Sequence, residues 1–250
     1  MPSFTDQTGR CVTLQSIPKR IISLVPSQTE LLFHLGLDAE VVGITKFCVH
    51  PAHWFKNKTR VGGTKQVSMD AVHQLNPDLI IANKEENVRE QVEELAKHYP
   101  VWVSDVNDLD GACEMIDAVA KMIGKETDLV KQIRDEFNRL TKFASLRVAY
   151  LIWRKPYMAA GCGTFIDDML KRCGFINIID KERYPEVSID ELKACDVVLL
   201  SSEPYPFSQK HIEELGLPAV LVDGEMFSWY GSRLLQAPAY FRQINLNLSP

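Results

Sequence analysis

The sequence predicts an α/β fold with two similar lobes, each built on a parallel sheet, joined by a long backbone helix. Short apolar runs alternate with helical patterns along the 250 residues, as in parallel strands connected by crossover helices. The segment Val67–Asp70 (Val-Ser-Met-Asp) returns 120 positions later as Val187–Asp190 (Val-Ser-Ile-Asp), and each copy leads through a short helix to an apolar strand. Two Rossmann-like lobes are the simplest organisation that explains this repeat.

The first lobe, residues 1–108, opens with a buried strand that turns sharply into a helix. The β-branched run Ile21–Val25 stops at Pro26, which has no N–H to donate to a sheet ladder. A helix over Thr29–Leu35 follows, because Ser and Thr oxygens favour helix starts and Gly36 favours a helix end. The other predicted elements are strand Val41–Ile44, helix Asp70–Leu75, strand Leu79–Ala82, helix Val88–His98 and strand Val101–Val103.

Residues 109–146 are predicted to link the lobes. Apolar residues keep helical spacing from Ala112 to Ile123, and a second helix of about 19 residues begins near Leu129. At 1.5 Å per residue that second helix would reach about 28 Å, far enough to run between two lobes, although one more crossover helix is the alternative.

The second lobe, residues 147–250, mirrors the first. Its predicted elements are strand Arg147–Trp153, helix Thr164–Leu170, strand Ile176–Ile179, a short helix after Ser188, strand Val197–Leu200 and strand Ala219–Val222.

Composition and charge exclude several classes of protein. The formal charge of −5 and the lack of a basic run argue against nucleic-acid binding. No apolar stretch approaches the ~20 residues needed to span a membrane. The start, Met1–Asp6, lacks the features of a secretory signal, so the sequence as written predicts a cytoplasmic protein, or a periplasmic or cell-surface one if a signal was removed. The six cysteines form no CxxC pair, which favours reduced thiols.

Residues that follow the predicted strands are rich in aromatic and cationic side chains. Open α/β sheets bind ligands at the carboxyl ends of their strands. Aromatic faces offer apolar contact area and cations neutralise carboxylates or phosphates, so we expect a cleft between the lobes for a large, flat, anionic ligand. Alternatively, the cations occupy exposed loop tips and the aromatics close each lobe's core. The candidate ligand residues are Ser27, Gln28, Lys46, Phe47, His50, Lys65, Lys84, Trp153, Arg154, Tyr157, Phe227, Trp229, Tyr230 and Arg233.

An ordered set of motifs resembles the metal-chelate and vitamin B12 receptors of ABC importers. These motifs are Gly9–Leu14, Pro18–Leu24, Pro26–Glu30, Leu35-Gly36, Val61–Gly63 and Leu75–Ala82, and the resemblance covers most of the chain. It implies a periplasmic-type substrate-binding protein with a helical backbone between its lobes. Such a receptor captures one iron chelate, haem-like or corrinoid (cobalamin-type) ligand and presents it to ABC permease subunits.

Two lysines bear on which of these ligands is bound. Lys65 and Lys84 stand in loops where the B12 receptors carry aromatic rings that lean on the corrin. The resemblance therefore favours a more anionic iron complex over cobalamin, while Trp153 and Trp229 keep a corrinoid or haem-like ligand open.

Asp70 and Asp190 are candidates for docking to the permease. In the family, one acidic residue near a helix start on each lobe reaches basic residues of the permease, and the repeat puts these aspartates at matching places. The alternative is purely local, because acids stabilise first helical turns and Ser68 and Ser188 are expected N-caps.

Signals for catalysis and for metal binding are poor. The chain has no GxGxxG, GxSxG or HExxH motif, so we expect a binding protein without catalytic residues or a cofactor. His50 and His53 lie near Cys48, but Pro51 intervenes and ordinary loop roles are expected. The turn Gly161–Thr164 could cradle an anion on its N–H groups or could simply be tight. The alternatives kept open are an intracellular enzyme that uses a nucleotide or sugar nucleotide, and a cytosolic tetrapyrrole carrier or sensor.

Overall fold

The computed structural model describes residues 1–140 and 145–248, which group into two compact units. Unit 1 comprises Met1–Val106, Asp110–Val130 and Tyr230–Ser232. Unit 2 comprises Asn107–Leu109, the described part of Lys131–Trp229, and the described residues from Arg233 onward. The predicted linking segment is therefore divided between the two units, and the three continuous ranges of the sequence analysis stay a prediction.

Unit 1 contains a short hairpin, a parallel sheet and the helices that cover it. The hairpin strands are β1 (Ser3–Thr5) and β2 (Cys11–Thr13). The sheet strands are β3 (Ile21–Ser23), β4 (Val41–Ile44), β5 (Thr59–Arg60), β6 (Leu79–Asn83) and β7 (Val101–Ser104). The helices that lie wholly or mostly in this unit are α1 (Pro26–His34), α2 (Ala52–Asn57), α3 (Met69–Leu75), α4 (Arg89–Ala96) and α5 (Leu109–Met122).

The sheet of unit 1 has the order β5–β4–β3–β6–β7, and all of its neighbouring strands are parallel. Every residue of β6 and β7 is buried, as expected for parallel strands that are covered on both faces. Helix α1 begins at Pro26, three residues before its predicted start, because proline suits the first helical position, where its missing N–H has no intrahelical role.

Unit 2 is built on a second sheet. Its strands are β8 (Arg147–Trp153), β9 (Met158–Ala159), β10 (Ile176–Asn177), β11 (Val197–Ser201) and β12 (Ala219–Val222). The remaining helices are α6 (Leu129–Asn138), which begins in unit 1, and α7 (Phe165–Arg172), α8 (Ile189–Leu192), α9 (Gln209–Leu215), α10 (Glu225–Ser228) and α11 (Ala237–Leu248). The order is β10–β8–β11–β12, all parallel, and β9 pairs antiparallel with β8.

The two sheets repeat one topology. Apart from the edge strand β5, the strands of unit 1 follow the chain as β3, β4, β6 and β7, but in the sheet β4 lies on the outer side of β3, which gives the order β4–β3–β6–β7. In unit 2 the order β10–β8–β11–β12 arises in the same way. The predicted α/β fold with parallel sheets in two similar lobes is therefore confirmed. In each sheet the chain order reverses between the first and third strands, where ligands bind in open α/β folds.

Helix α6 is shorter than predicted. It has ten residues, about 15 Å at 1.5 Å per residue, rather than about 19 residues. Its end is tight, because the Leu140 N–H bonds the Phe137 carbonyl three residues back instead of continuing the α-helical pattern. Residues 141–144 of the predicted helix lie outside the described residues. Among the helices of the described ranges, none combines the length and apolar character needed to cross a membrane.

Three of the cysteines are buried like small apolar residues. All six are free thiols, and Cys48, Cys113 and Cys173 are buried. Burial raises the pKa of the Cys173 thiol to about 12, so this thiol stays protonated at neutral pH.

We expect Gly161→Ala to destabilise the protein. A Cβ at this position would overlap the main-chain carbonyl of Lys181, which cannot move like a flexible side chain. Overpacking of this kind costs about 1–3 kcal/mol, measured as a lower urea midpoint by circular dichroism. An unchanged midpoint would mean that the backbones separate without cost.

Candidate ligand-binding site

The predicted ligand residues of unit 1 follow its strands at the carboxyl edge of the sheet. Side chains exposed to solvent are those of Lys46, Phe47, Lys65 and Lys84, and His50 is half-buried. Ser27 and Gln28 lie at the start of α1 and are buried. The predicted residues that follow these strands are therefore exposed or half-buried, whereas those at the start of α1 are buried.

Gln28 belongs to a buried polar network. Its Nε2 donates to Ser104 Oγ at 2.5 Å, and Asn83 Nδ2 donates to the same oxygen at 3.0 Å. This network ties α1 to the ends of β6 and β7. Gln28 is 0% exposed, which argues against the predicted ligand contact and assigns it a structural role. Within the described residues, Gln28 Oε1 and Ser27 Oγ are buried without a hydrogen-bond partner.

Asn83 shapes the turn that carries Lys84. Its Oδ1 accepts the N–H groups of Glu85 at 2.8 Å and Glu86 at 3.0 Å, and its own N–H donates to Asn87 Oδ1 at 2.8 Å. Asn87 Nδ2 in turn donates to the Thr64 carbonyl at 3.0 Å, which joins this turn to the one before α3. Neither asparagine was among the predicted ligand residues, although two Asn residues four apart after an apolar strand are a usable turn signal.

The lysines of unit 1 are largely engaged within the protein. Lys84 Nζ lies 2.5 Å from an Asp105 carboxylate oxygen, and Lys65 Nζ donates to the Glu85 carbonyl. Lys46 Nζ lies 5.1 Å from the centroid of the Phe47 ring, a cation–π contact. Because a carboxylate already offsets Lys84, the positive charge predicted for this edge is weaker than the sequence suggests.

A cavity of about 580 Å³ lies beside this turn, lined in part by Arg10, Lys84 and Arg89. Each of these cations has a carboxylate partner: Arg10 lies 3.0 Å from Asp6, and Arg89 lies 2.7 Å from Glu93. The cavity therefore has no evident excess of positive charge for an anion.

Aromatic side chains cluster at the carboxyl edge of unit 2. Trp153 ends β8 and is 42% exposed, with its ring centroid 5.7 Å from that of Tyr205. Tyr205 also contacts Phe207 at 4.8 Å. Hydrogen bonding to Tyr205 raises the pKa of Arg154, and bonding to Tyr157 and the charge of Glu214 act in the same direction. This cluster brings together the predicted residues Trp153, Arg154 and Tyr157.

Phe227 is a core residue. It is 0% exposed, and its ring lies 5.3 Å from Tyr150 and 4.8 Å from Phe241. This burial argues against the predicted ligand contact of Phe227 and favours the structural alternative. Phe227 lies on α10, which follows β12, and its side chain packs in the interior of unit 2.

Trp229 and Arg233 form a compact group with two glutamates of unit 2. The Trp229 indole donates to Glu203 Oε1 at 2.9 Å, and the Arg233 guanidinium lies 4.7 Å from the centroid of the indole ring. Arg233 also pairs with Glu225 at 2.6 Å. Burial raises the pKa of Glu203, the bonds from Ser228 and Trp229 lower it, and the nearby charge of Glu225 raises it further. Trp229 is only 6% exposed.

The next residues along the chain, Tyr230–Ser232, pack in unit 1. Tyr230 is buried, and its hydroxyl donates to a Glu86 carboxylate oxygen at 2.6 Å. A Cβ on Gly231 would lie 2.6 Å from the Ser27 carbonyl oxygen, so only glycine fits this approach to α1.

The candidate docking acids are exposed at helix starts. Asp70 lies in the first turn of α3, where Ser68 Oγ accepts the Ala71 N–H at 3.3 Å. Asp190 lies in the first turn of α8 and pairs with Lys193 at 2.7 Å, and Ser188 forms the expected capping box. The two serine caps are confirmed, while the docking role stays a prediction.

The metal and anion alternatives find little support. No group of three His, Cys, Asp or Glu side chains among residues 1–140 and 145–248 could hold a metal ion. His53 lies on α2 rather than in a loop, and its ring packs 5.2 Å from Phe33. In the turn Gly161–Thr164, the N–H groups of Gly161 and Cys162 donate to main-chain carbonyls at 2.7 and 2.9 Å, as in a tight turn.

We expect Asn83→Ala to destabilise unit 1 and loosen the turn that follows β6. The change removes the acceptor of two main-chain N–H groups in a buried setting, which costs about 1–3 kcal/mol. Urea unfolding measures the loss, and Asn138→Ala, at an exposed helix end, is the matched control. Equal midpoints for the two variants would contradict the role given to Asn83.

Comparison with known proteins agrees with this architecture. The sequence profile of the family described as periplasmic binding protein matches residues 21–213. The vitamin B12-binding protein of Pectobacterium carotovorum subsp. carotovorum (strain PC1) is 23% identical over 244 residues, covering 91% of this chain and 88% of the relative.

Solved structures show the same fold. The periplasmic vitamin B12-binding protein of Vibrio cholerae matches with a TM-score of 0.75 at 21% identity, covering 92% of this chain and 98% of that one. The periplasmic heme-binding protein of Vibrio cholerae matches with a TM-score of 0.76 at 21% identity, covering 92% and 99%. Because the family profile spans most of the chain, this protein belongs to the periplasmic binding protein family, as its sequence motifs predicted.

Proposed function

We propose that this protein captures an iron chelate, haem-like or corrinoid ligand and delivers it to the permease subunits of an ABC importer. Family membership supports a receptor, and relatives that bind vitamin B12 or heme support a large metal-containing ring or chelate. The observation that carries the proposal is Trp153, a large aromatic ring that stays 42% exposed at the carboxyl edge of a parallel sheet. Exposed aromatic surface in such a place is typical of a ligand-binding surface.

We assign the ligand-facing roles by exposure. In unit 1 they fall to Lys46, Phe47, His50, Lys65 and Lys84, and in unit 2 to Trp153, Arg154, Tyr157 and Arg233, all of which are exposed or half-buried. Trp229 is buried and is assigned instead through its hydrogen bond to Glu203. Tyr230 is assigned through its bond to Glu86, and Ser27 through its unpartnered hydroxyl. Gln28 and Phe227 are left out because they are fully buried.

We also propose that the protein performs no catalysis. The chain belongs to a family of binding proteins, which fits the receptor and not the nucleotide-using enzyme kept as an alternative. The described residues show strand-end aromatics and cations, whereas a hydrolytic enzyme needs a nucleophile with an adjacent base.

Titration with cyanocobalamin, haemin and ferric siderophores tests the proposal. We expect saturable quenching of tryptophan fluorescence by one of these classes, because Trp153 lies on the proposed ligand surface. Trp153→Ala should weaken that binding about five- to hundredfold, since one base- or ring-sized aromatic contact contributes about 1–3 kcal/mol.

The matched control is Phe33→Ala. Phe33 is also an exposed aromatic, at 41%, but it packs against His53 and Trp54 on α2. Absence of quenching by every ligand class, or an equal loss of affinity in Trp153→Ala and Phe33→Ala, would refute the proposed surface.

Charge reversal of the docking acids should separate delivery from capture. We expect Asp70→Lys and Asp190→Lys to leave ligand affinity unchanged and to reduce stimulation of the importer's ATPase in reconstituted vesicles, because like charges would face the permease. Glu213→Lys, at another exposed acid in unit 2, is the control. If both aspartate variants stimulated the ATPase as fully as the wild-type protein, the docking role would be refuted.

A further inference from the structure

Glu203 is unusual among the carboxylates of unit 2. Its Oε1 accepts hydrogen bonds from Ser228 Oγ at 2.5 Å and Trp229 Nε1 at 2.9 Å, and both donors are neutral. Among the described residues it forms no ion pair. Most enclosed carboxylates have a cation beside them, so this residue needs a separate explanation.

The main chain holds Glu203 in a fixed place. Its N–H donates to Ser201 Oγ at 3.2 Å, and that hydroxyl donates to the Glu203 carbonyl at 2.5 Å. The Tyr150 hydroxyl donates a hydrogen bond to Ser201 Oγ at 3.0 Å. On the other side, Gly224 leaves no room for a Cβ, which would overlap Ser201 Oγ and Glu203 Cγ. The carboxylate is therefore preorganised at the carboxyl edge of β11.

The surroundings oppose ionisation of this carboxyl group. Burial raises its pKa, and the nearby charges of Glu225 and Asp223 raise it further. Arg233, whose guanidinium lies over the Trp229 ring, is paired with Glu225. Because the folded-state pKa is raised, the stability it contributes is present at low pH and is lost as pH rises through that pKa. The charged form is therefore a cost to the folded protein, and functional sites are where proteins retain such costs.

The second oxygen of Glu203 is open. Within the described residues, no protein group donates a hydrogen bond to Oε2. Oε2 also does not belong to the buried side-chain atoms that lack a hydrogen-bond partner. It therefore meets solvent beside the Trp229 indole. An N–H donor that binds Oε2 stabilises the charged form of Glu203, whereas a ligand carboxylate beside Oε2 would oppose its ionisation further.

We propose that Glu203 determines specificity by accepting hydrogen bonds from neutral N–H donors of the ligand and by disfavouring carboxylate-bearing ligands. This inference rests on the proposed function and narrows its ligand class to corrinoids whose side chains are amides. It runs against the anionic preference suggested by Lys65 and Lys84, because both lysines already bond within unit 1.

The test compares two corrinoids that differ in their side chains. Dicyanocobinamide carries amides around the ring, whereas dicyanocobyrinic acid carries carboxylates on the same corrin. We expect the wild-type protein to bind dicyanocobinamide about ten- to hundredfold more tightly, the range for hydrogen bonds to charged groups. In Glu203→Gln, Oε1 can still accept from Trp229 and Ser228, but an NH₂ group replaces Oε2. The preference should therefore shrink at least about tenfold or reverse.

Two controls separate specificity from folding. Glu213→Gln changes an exposed glutamate on α9 and should keep the wild-type preference. Glu203→Gln should unfold at or above the wild-type temperature at neutral pH, with any gap closing as pH falls, because it removes a carboxyl group whose ionisation the fold opposes. The wild-type preference needs no variant and remains decisive if Glu203→Gln does not fold.

The outcomes distinguish the two proposals. A wild-type preference for dicyanocobyrinic acid, binding of haemin or a ferric siderophore only, or an unchanged preference in Glu203→Gln overturns the role of Glu203 and leaves the receptor function standing. Failure of the wild-type protein to bind any corrinoid, haemin or ferric siderophore refutes the receptor function, and the inference about Glu203 falls with it.

Discussion

The pairing of the first and third strands in each sheet sets where chemistry can happen in this protein. β3 pairs with β6 in unit 1, and β8 pairs with β11 in unit 2, both in parallel. Because the succession of strands reverses at these pairs, the segments that leave them diverge and expose the carboxyl edge. Asn83 follows one pair and Glu203 follows the other, so the polar residues that organise each edge stand at equivalent places in the two units.

The two edges are stabilised in different ways. At the edge of unit 1, amides and hydroxyls bond one another and the main chain, which leaves Asn83 and Asn87 well satisfied. At the edge of unit 2, a carboxylate is half satisfied and stands among aromatic rings and other acids. A satisfied polar network fixes a backbone, whereas a half-satisfied one keeps a capacity to bind something else. This contrast explains why the lysines of unit 1 are weaker evidence about the ligand than the glutamate of unit 2.

Much of the fold could be predicted because buried parallel strands leave a strong apolar signal. Strands Arg147–Trp153 and Ala219–Val222 have the predicted bounds, and Val41–Ile44 does as well. The end of α6 could not be predicted, because helical spacing of apolar residues continues past Asn138 although the hydrogen bonding changes there. Short elements such as α2 also lacked a signal, since six residues hold too few turns for periodicity.

The sequence indicates which residues follow the strands, but it does not give the direction of their side chains. Trp153 and Phe227 both follow or approach strand ends, yet one ring is exposed and the other packs against Tyr150 and Phe241. Glu203 follows a strand like the predicted residues but is neither aromatic nor cationic, and only its burial makes it distinctive. Side-chain direction depends on tertiary packing, which a single sequence does not display.

The segment Tyr230–Ser232 has a consequence for how the chain can be divided. It belongs to unit 1, although the residues on either side of it, Trp229 and Arg233, belong to unit 2. An N-terminal fragment that ends anywhere between residues 145 and 229 would therefore lack Tyr230, whose hydroxyl donates a hydrogen bond to Glu86. It would also lack Gly231, which packs against the Ser27 carbonyl. A chimera that replaces the C-terminal half by that of a distant relative would therefore have to keep the tripeptide Tyr230–Ser232.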